Sequence, residues 1–313
     1  MQQQWEIIGL EDLGIVSIRG SDAVRFLQGQ LSCDMELLGP HRSLLAGYHN
    51  PQGRVIAVLR LLQPEPQQIL AVLPRELAPS VAQRLAKFVL RAKAAIADES
   101  EHWLVNGLVN AVATRAAHAA APDSAGVRAL PQHPDAQAVV DGSVYAHLGA
   151  EHPDAAIERW LRVSPVQRGA LAVDLPRGER QSWRQLDVSA GRAQVYGATS
   201  EEFVAQMLNL DALGAVAFDK GCYTGQEVVA RAHYRGRVKR RMQRFISLGS
   251  AQFAPGDTGQ LADGRAFRVV EAVALPDGRC DFLAVAPTTP GEEPAQHGAV
   301  QAQPAAMAYP LPE

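Results

Sequence analysis

The chain has 313 residues, with 30 basic and 33 acidic side chains, a net charge of −3 and 47% apolar residues. This length and apolar content suit two or three globular units with sizeable cores, and the near-neutral balance excludes a global pull toward nucleic acid or membrane, so any such partner needs a local patch. Cys33, Cys222 and Cys280 lie far apart with no C-x-x-C and no histidine pair, which argues against a zinc site or disulfide framework.

The start, Met1 to Glu6, lacks a basic and apolar leader, and no stretch approaches about 18 uninterrupted apolar residues. A cytoplasmic protein with reduced thiols and no membrane partner is expected. Gly14 to Arg19 alternates and reads as a strand. Ser21 or Asp22 caps a helix running to about Asp34, with Val24, Leu27 and Leu31 on one face. Leu44 to His49 and Val55 to Leu62 are strands joined by the turn Asn50-Pro51-Gln52-Gly53, where proline fixes φ and glycine takes the awkward position. Ile69 to Leu73 is a further strand. Glu76 to Ile96 reads as the clearest helix, with Leu77, Val81, Leu85, Phe88 and Val89 at helical spacing.

Ala111 to Ala121 reads as an alanine-rich helix and Pro122 to Asp135 as a surface connection. Val139 to Leu148 carries an Asp141-Gly142 hairpin turn. Ala155 to Val163, Gln181 to Gly191 and Ser200 to Leu208 read as helices. Beyond Arg244 the composition turns to strands: Phe245 to Leu248, Gly259 to Leu261, Ala266 to Leu275 and Cys280 to Val285. Asp263-Gly264 and Asp277-Gly278 mark the turns. This is expected to be a small barrel or sandwich. The chain from Pro287 onward, rich in Pro, Ala, Gln and Glu, is expected to be partly disordered or laid on the surface.

The most unusual stretch is Asp219-Lys220-Gly221-Cys222-Tyr223-Thr224-Gly225-Gln226-Glu227. A lysine ammonium beside a thiol favours the thiolate and lowers its pKa from about 8.5. Gly221 and Gly225 permit sharp turns or close approach to a ligand. Gln226 and Glu227 offer polar groups suited to the edge of a heterocycle. A cysteine that merely fills a core needs none of these neighbours. Arg231 to Arg244 then carries seven basic residues, no acid, and the interleaved His233 and Tyr234. It reads either as a phosphate or RNA patch or as an edge strand guarded by charge. Trp183 precedes Asp187 in a short helical stretch; its ring suits either a core or a flat ligand. Asp211 and Asp219 flank the cysteine loop, and Asp219 reads either as a turn residue or as a counter-charge to Lys220. His41, His49 and His233 lack metal-like spacing and read as surface or locally bonded residues. No P-loop or Rossmann fingerprint occurs.

The run Lys220 to Glu227, with Val228-Val229-Ala230-Arg231, Gly236 and Lys239-Arg240 after it, resembles the signature of the YgfZ family. Those folate-binding proteins are similar in fold to the T-protein, the aminomethyltransferase of the glycine cleavage system. Arg19 to Leu31, Tyr48 to Arg54 and Phe203 to Asp211 extend the resemblance from about Gly14 to Arg241. Two departures stand out: Leu13 where some members have a tryptophan, and Ala205 where relatives often have proline.

The resemblance implies an α+β fold: two packed α/β layers of the T-protein-like folate-binding type, about residues 1–100 and 101–242. A carboxyl-terminal β-barrel, residues 243–313 with a flexible tail, follows them. It implies tetrahydrofolate or a one-carbon derivative as cofactor, and support of iron–sulfur enzymes or their assembly proteins, including tRNA-thiolating enzymes. Cys222 would be the reactive thiol, with Lys220 tuning it. Trp183, Gly221, Tyr223, Gly225, Gln226, Glu227 and Arg231 would hold folate or shape the loop. Family members carry a folate-contacting tryptophan at the place of Trp183, eight residues before Gly191. Two other classes compete: a folate-dependent aminomethyltransferase, and an RNA-binding module using residues 231–244, through which tRNA would be a partner. A cysteine protease fits poorly, since no histidine is placed in sequence to pair with Cys222.

Overall fold

The computed structural model describes residues 4–111, 130–150, 157–168, 175–192, 194–236, 238–289 and 299–311. The chain clusters into two compact units. One comprises Met1–Ala46 and Leu59–Arg180, the other Gly47–Val58 and Gln181–Glu313.

In the first unit, β1 (Gln4–Gly9) and β2 (Leu13–Arg19) lead into the short helix α1 (Ala23–Gln28). β3 (Leu44–His49), β4 (Val55–Glu65), β5 (Gln68–Pro74), helix α2 (Ala78–Ala86), β6 (Ala95–Asp98) and β7 (Trp103–Ala111) follow. One sheet has the order β3-β4-β5-β2-β6. α2 packs on β2 and β6, with Val81 and Leu85 buried on the helix. A second sheet adds β8 (Gln137–Val140), β9 (Ser143–Ala150) and β10 (Ile157–Pro165) in the order β1-β7-β10-β9-β8. Trp5 and Trp160 stack in its core at 5.2 Å. The Asp141-Gly142 turn forms as expected, both residues with positive φ, 48° and 69°, as a tight hairpin requires.

The second unit holds helix α3 (Arg180–Ser189, all but its first residue), a 3₁₀ turn at Ala205–Leu208 and helix α4 (Gln226–Tyr234). Its sheet is built from β11 (Arg240–Ser247), β12 (Thr258–Gln260), β13 (Ala266–Ala274), β14 (Cys280–Pro287) and β15 (Ala302–Ala305). The pairing order is open, β12-β13-β14-β11-β15. An isolated parallel bridge joins Leu261 to Val300, at the ends of the two edge strands. Phe245, Phe267 and Phe282 fill its core. The Asp-Gly pairs at 263 and 277 turn its hairpins, with Gly264 and Gly278 at φ of 81° and 84°.

Several expectations are corrected. The helix expected over Glu76 to Ile96 ends at Ala86. Phe88, placed on its apolar face, is 53% exposed. The chain beyond instead pairs Ala95–Asp98 with Val16–Arg19, and the Asp22 carboxylate accepts from Lys93 N–H at 2.7 Å. Asp22 therefore serves this connection rather than capping α1, which stops at Gln28 instead of Asp34. Ile157 to Val163 is strand, not helix, because neighbours on both sides satisfy its backbone. Ser200 to Leu208 shrinks to one 3₁₀ turn, since residues 200–204 bond to the β3–β4 hairpin tip and Glu201 takes a φ of 65°. β1, β6 and β7 carry no strong alternation and were not expected. The end of the chain is partly ordered: β15 joins the sheet and the Tyr309 hydroxyl donates to Gly191 O at 2.9 Å. The helix expected at 111–121 and most of the connection to 135 lie outside the described residues.

Candidate functional site

Of the three free cysteines, Cys33 and Cys280 are buried and Cys222 is exposed. Cys222 sits on the loop entering α4. The next residue, Tyr223, turns inward and is buried. Its ring lies 6.0 Å from that of His49, and the Lys220 ammonium sits over it, 5.2 Å from the ring centre. A cation over a tyrosine face is attractive by about 0.5–1 kcal/mol at exposed sites. Lys220 and the inward Tyr223 thus fix the loop on both sides of Cys222. Burial pushes the Tyr223 phenol up to about 12. Burial also pushes His49 down to about 4, with the Gly47 backbone opposing in part, so the imidazole is neutral near pH 7.

The loop is locked to the hairpin tip by two glycines. Gly225, the residue before α4, has a φ of 82°. A Cβ on it would stand 2.6 Å from Asn50 O and 2.9 Å from Gly53 Cα. Gly53 has a φ of 73°, and its own Cβ would stand 2.7 Å from Val228 Cβ. Only glycine allows both the left-handed backbone and this approach. The tip is held in turn. Asn50 Oδ1 accepts from Arg54 N–H at 2.9 Å, and Asn50 Nδ2 donates to Glu201 Oε2 at 2.7 Å. Val55 N–H donates to Phe203 O and Glu201 N–H to Val55 O, both at 2.8 Å.

The approach to the loop is pinned from β11. Arg241, buried, donates to both oxygens of Asp211 at 3.1 and 3.0 Å and to Gln206 O at 3.1 Å. Asn209, in a left-handed turn, donates to Met242 O at 2.9 Å and to the Tyr309 hydroxyl at 3.2 Å. Gln206 Nε2 holds Val229 O of α4 at 2.7 Å. Arg244 binds Asp281 through two contacts, 2.9 and 2.7 Å. The basic stretch is therefore divided. Arg241 and Arg244 are structural, while Arg231, Arg235, Lys239 and Arg240 are exposed. Nor is it a guarded edge strand, because β11 lies between β14 and β15. Asp211, seen in the sequence only as flanking the loop, is the partner of a buried guanidinium.

Trp183 is buried on α3. Elsewhere in this unit Tyr196 donates to the buried Glu271 at 2.6 Å, and burial pushes Glu271 up to about 7. Of the residues expected to form the site, Lys220 and Tyr223 meet directly. Gly225 is committed to packing against the hairpin. Gly221 has open space around it, Gln226 is half-buried, and Glu227 and Arg231 are exposed on α4. The sequence reading missed His49, Asn50 and Gly53 as parts of this site. Its one signal for them was the tight turn itself, and β3 is too uniformly buried for its pattern to single out His49. Among the described residues no cluster of His, Cys, Asp and Glu is arranged to hold a metal ion. No described helix is long and apolar enough to cross a membrane.

No protein-family model matches the chain. It is similar to the tRNA-modifying protein YgfZ of Enterobacter sp. (strain 638), with 33% identity over 285 residues, covering 87% of this chain and 82% of that protein. Its fold is similar to the glycine cleavage system aminomethyltransferase T from Bartonella henselae, with a TM-score of 0.69 and 14% identity over 96% of this chain and 84% of that one. With that likeness the mixed, mostly stranded architecture is the aminomethyltransferase fold. The identity and coverage of the first relative settle the lineage: the chain belongs to the YgfZ family.

Proposed function

We propose that the protein binds tetrahydrofolate, or a one-carbon derivative of it, and supports iron–sulfur cluster assembly or repair in the cytoplasm. Through that support it serves tRNA-thiolating enzymes, with Cys222 as the working thiol. The observation that carries this reading is the placement of Cys222, the exposed one of three cysteines, on a loop held by a buried tyrosine and two interlocked glycines. A rigid loop keeps a thiol in a fixed position for a partner at little entropic cost. The printed name of the 33% identical relative, a tRNA-modifying protein, supports the same context.

The donor set suits a reduced pterin with an acidic tail. The buried Gln206 presents an Oε1 that accepts no hydrogen bond among the described residues, an acceptor of the kind a pterin N–H would satisfy. Trp183 and Tyr223 supply aromatic faces, Gln226 an amide and Arg231 a cation for a glutamate tail. Folate brings the capacity to carry a one-carbon unit. The chain's own residues bind and orient it, and they keep the thiol accessible. We read the carboxyl-terminal sheet as a barrel closed at the Leu261–Val300 bridge, a rigid support for β11 and the Arg241 anchor.

The test is calorimetric titration with tetrahydrofolate of the wild type and of Cys222→Ala. Both are expected to bind with the same affinity, and Trp183 fluorescence is expected to fall on binding. A wild type that takes up no tetrahydrofolate rejects the folate reading. Binding lost in the alanine variant alone rejects a thiol that works apart from the ligand.

A further inference from the structure

Phe218, just ahead of the cysteine loop, stacks face to face on His233 of α4, with ring centres 3.7 Å apart and planes 15° apart. Tyr234 stands edge-on to both, at 6.1 Å from Phe218 and 4.8 Å from His233. Tyr234 is nevertheless 64% exposed and His233 is exposed. An exposed tyrosine and histidine held against a half-buried phenylalanine form a contiguous aromatic patch of the kind that marks interaction sites. The cations around and after them in the chain, Arg231, Arg235, Lys239 and Arg240, are all exposed, whereas Arg241 and Arg244 are withdrawn into ion pairs. This surface combines a preformed stacking platform with a cationic rim in a chain whose net charge is −3.

We propose that this platform at the carboxyl end of α4 binds an unpaired segment of RNA. One base stacks on the Tyr234–His233 surface, and neighbouring phosphates lie on Arg235, Lys239 and Arg240. Single-stranded RNA is recognised in this way, by ring faces for splayed bases and guanidinium groups for the backbone. A folded protein partner would want an apolar centre with a polar rim, whereas here the ring cluster is small and exposed cations flank it in the chain. α4 begins four residues after Cys222 and spans nine residues. At about 1.5 Å of rise per residue, the platform's end of α4 is only about 12–15 Å from its cysteine-loop end. The RNA would therefore lie about one helix length from the start of the helix that the cysteine loop enters.

The experiment is fluorescence anisotropy of the full chain with labelled RNA oligomers, uridine-only and adenosine-only, each about ten nucleotides long, over a range of salt. The wild type is expected to bind with affinity falling steeply as salt rises. Tyr234→Ala is expected to weaken binding about ten-fold at unchanged salt slope, because it removes stacking and no charge. Arg235→Ala is expected to reduce the slope of log affinity against log salt by about 0.7, one phosphate contact on a single strand. Tyr234→Phe, which keeps the ring, is expected to bind as the wild type does. Two results would overturn the proposal: no binding at low salt, or binding that Tyr234→Ala leaves intact. The second would mark a bare polyanion surface. Neither folate nor Cys222 enters the assay, so its failure leaves the folate reading untouched.

Discussion

Gly225 and Gly53 show how much of the site rests on single residues. At Gly225 a methyl group meets both a left-handed φ of 82° and a carbonyl oxygen at 2.6 Å. The backbone term alone costs about 1–2 kcal/mol, so Gly225→Ala is expected to lose at least about 2 kcal/mol in urea unfolding. An unchanged midpoint would mean the contact is slack. His49 makes a pH prediction. Its folded-state pKa, about 4, lies below the ordinary 6.5. Its neutral form is favoured by folding, so its contribution is complete above about 6.5 and is lost as pH falls toward 4, up to about 3 kcal/mol. Glu271 acts oppositely in the same window: raised from 4.5 to about 7, its contribution is complete below 4.5 and lost as pH rises through 7. Comparing wild type with His49→Leu from pH 7 to pH 4 isolates the first. The gap in stability between the two proteins should shift toward the variant on acidification; a constant gap would contradict a buried neutral imidazole. The exposure of Cys222 was legible because glycines and a lysine surround it. The burial of His49 was not, because it comes from Tyr223 and Gly225, far along the chain.

At the scale of elements, local turn chemistry was read well and helix ends were not. The hairpins at Asn50–Gly53, Asp141-Gly142, Asp263-Gly264 and Asp277-Gly278 are set by glycine at positive φ, a signal carried by two or three adjacent residues. The helix expected beyond Ala86 failed because Ala95–Asp98 gains a ladder with β2, a long-range gain that helical spacing does not register. The basic stretch shows the same limit. Its run of cations is plain in the sequence, but the partners that bury Arg241 and Arg244 are Asp211 and Asp281, which lie 30 and 37 residues away. Arg241→Ala leaves the Asp211 carboxylate buried without its partner and is expected to cost about 3–5 kcal/mol. The pair Arg241→Ala with Asp211→Ala should recover part of that loss in a double-mutant cycle. If the double variant is as unstable as the sum of the singles, the two groups are not coupled.

At the scale of the molecule, the compact units are not contiguous in sequence. The tip Gly47–Val58 clusters with residues beyond Gln181, while the strands that carry it continue into the other unit. Composition marked where the third sheet begins, yet the hairpin's allegiance depends on bonds to residues 200–204, about 150 positions on, and no single-sequence pattern carries that. The chain's end matters for the same reason. β15 covers the edge of β11, and Tyr309 bonds both Gly191 and Asn209. Removing residues 299–313 is expected to lower the unfolding midpoint clearly and to loosen the run that leads to the cysteine loop, seen as faster hydrogen exchange at 205–211. Exchange there equal to the wild type would show that the tail is dispensable. The central claim is that a structurally expendable, exposed sulfur performs the protein's work. Its most direct measurement is the level of thiolated tRNA in cells whose only copy carries Cys222→Ala, with the protein's abundance and melting point recorded alongside. The account predicts normal abundance and melting with thiolation clearly reduced; normal thiolation from that variant would contradict it.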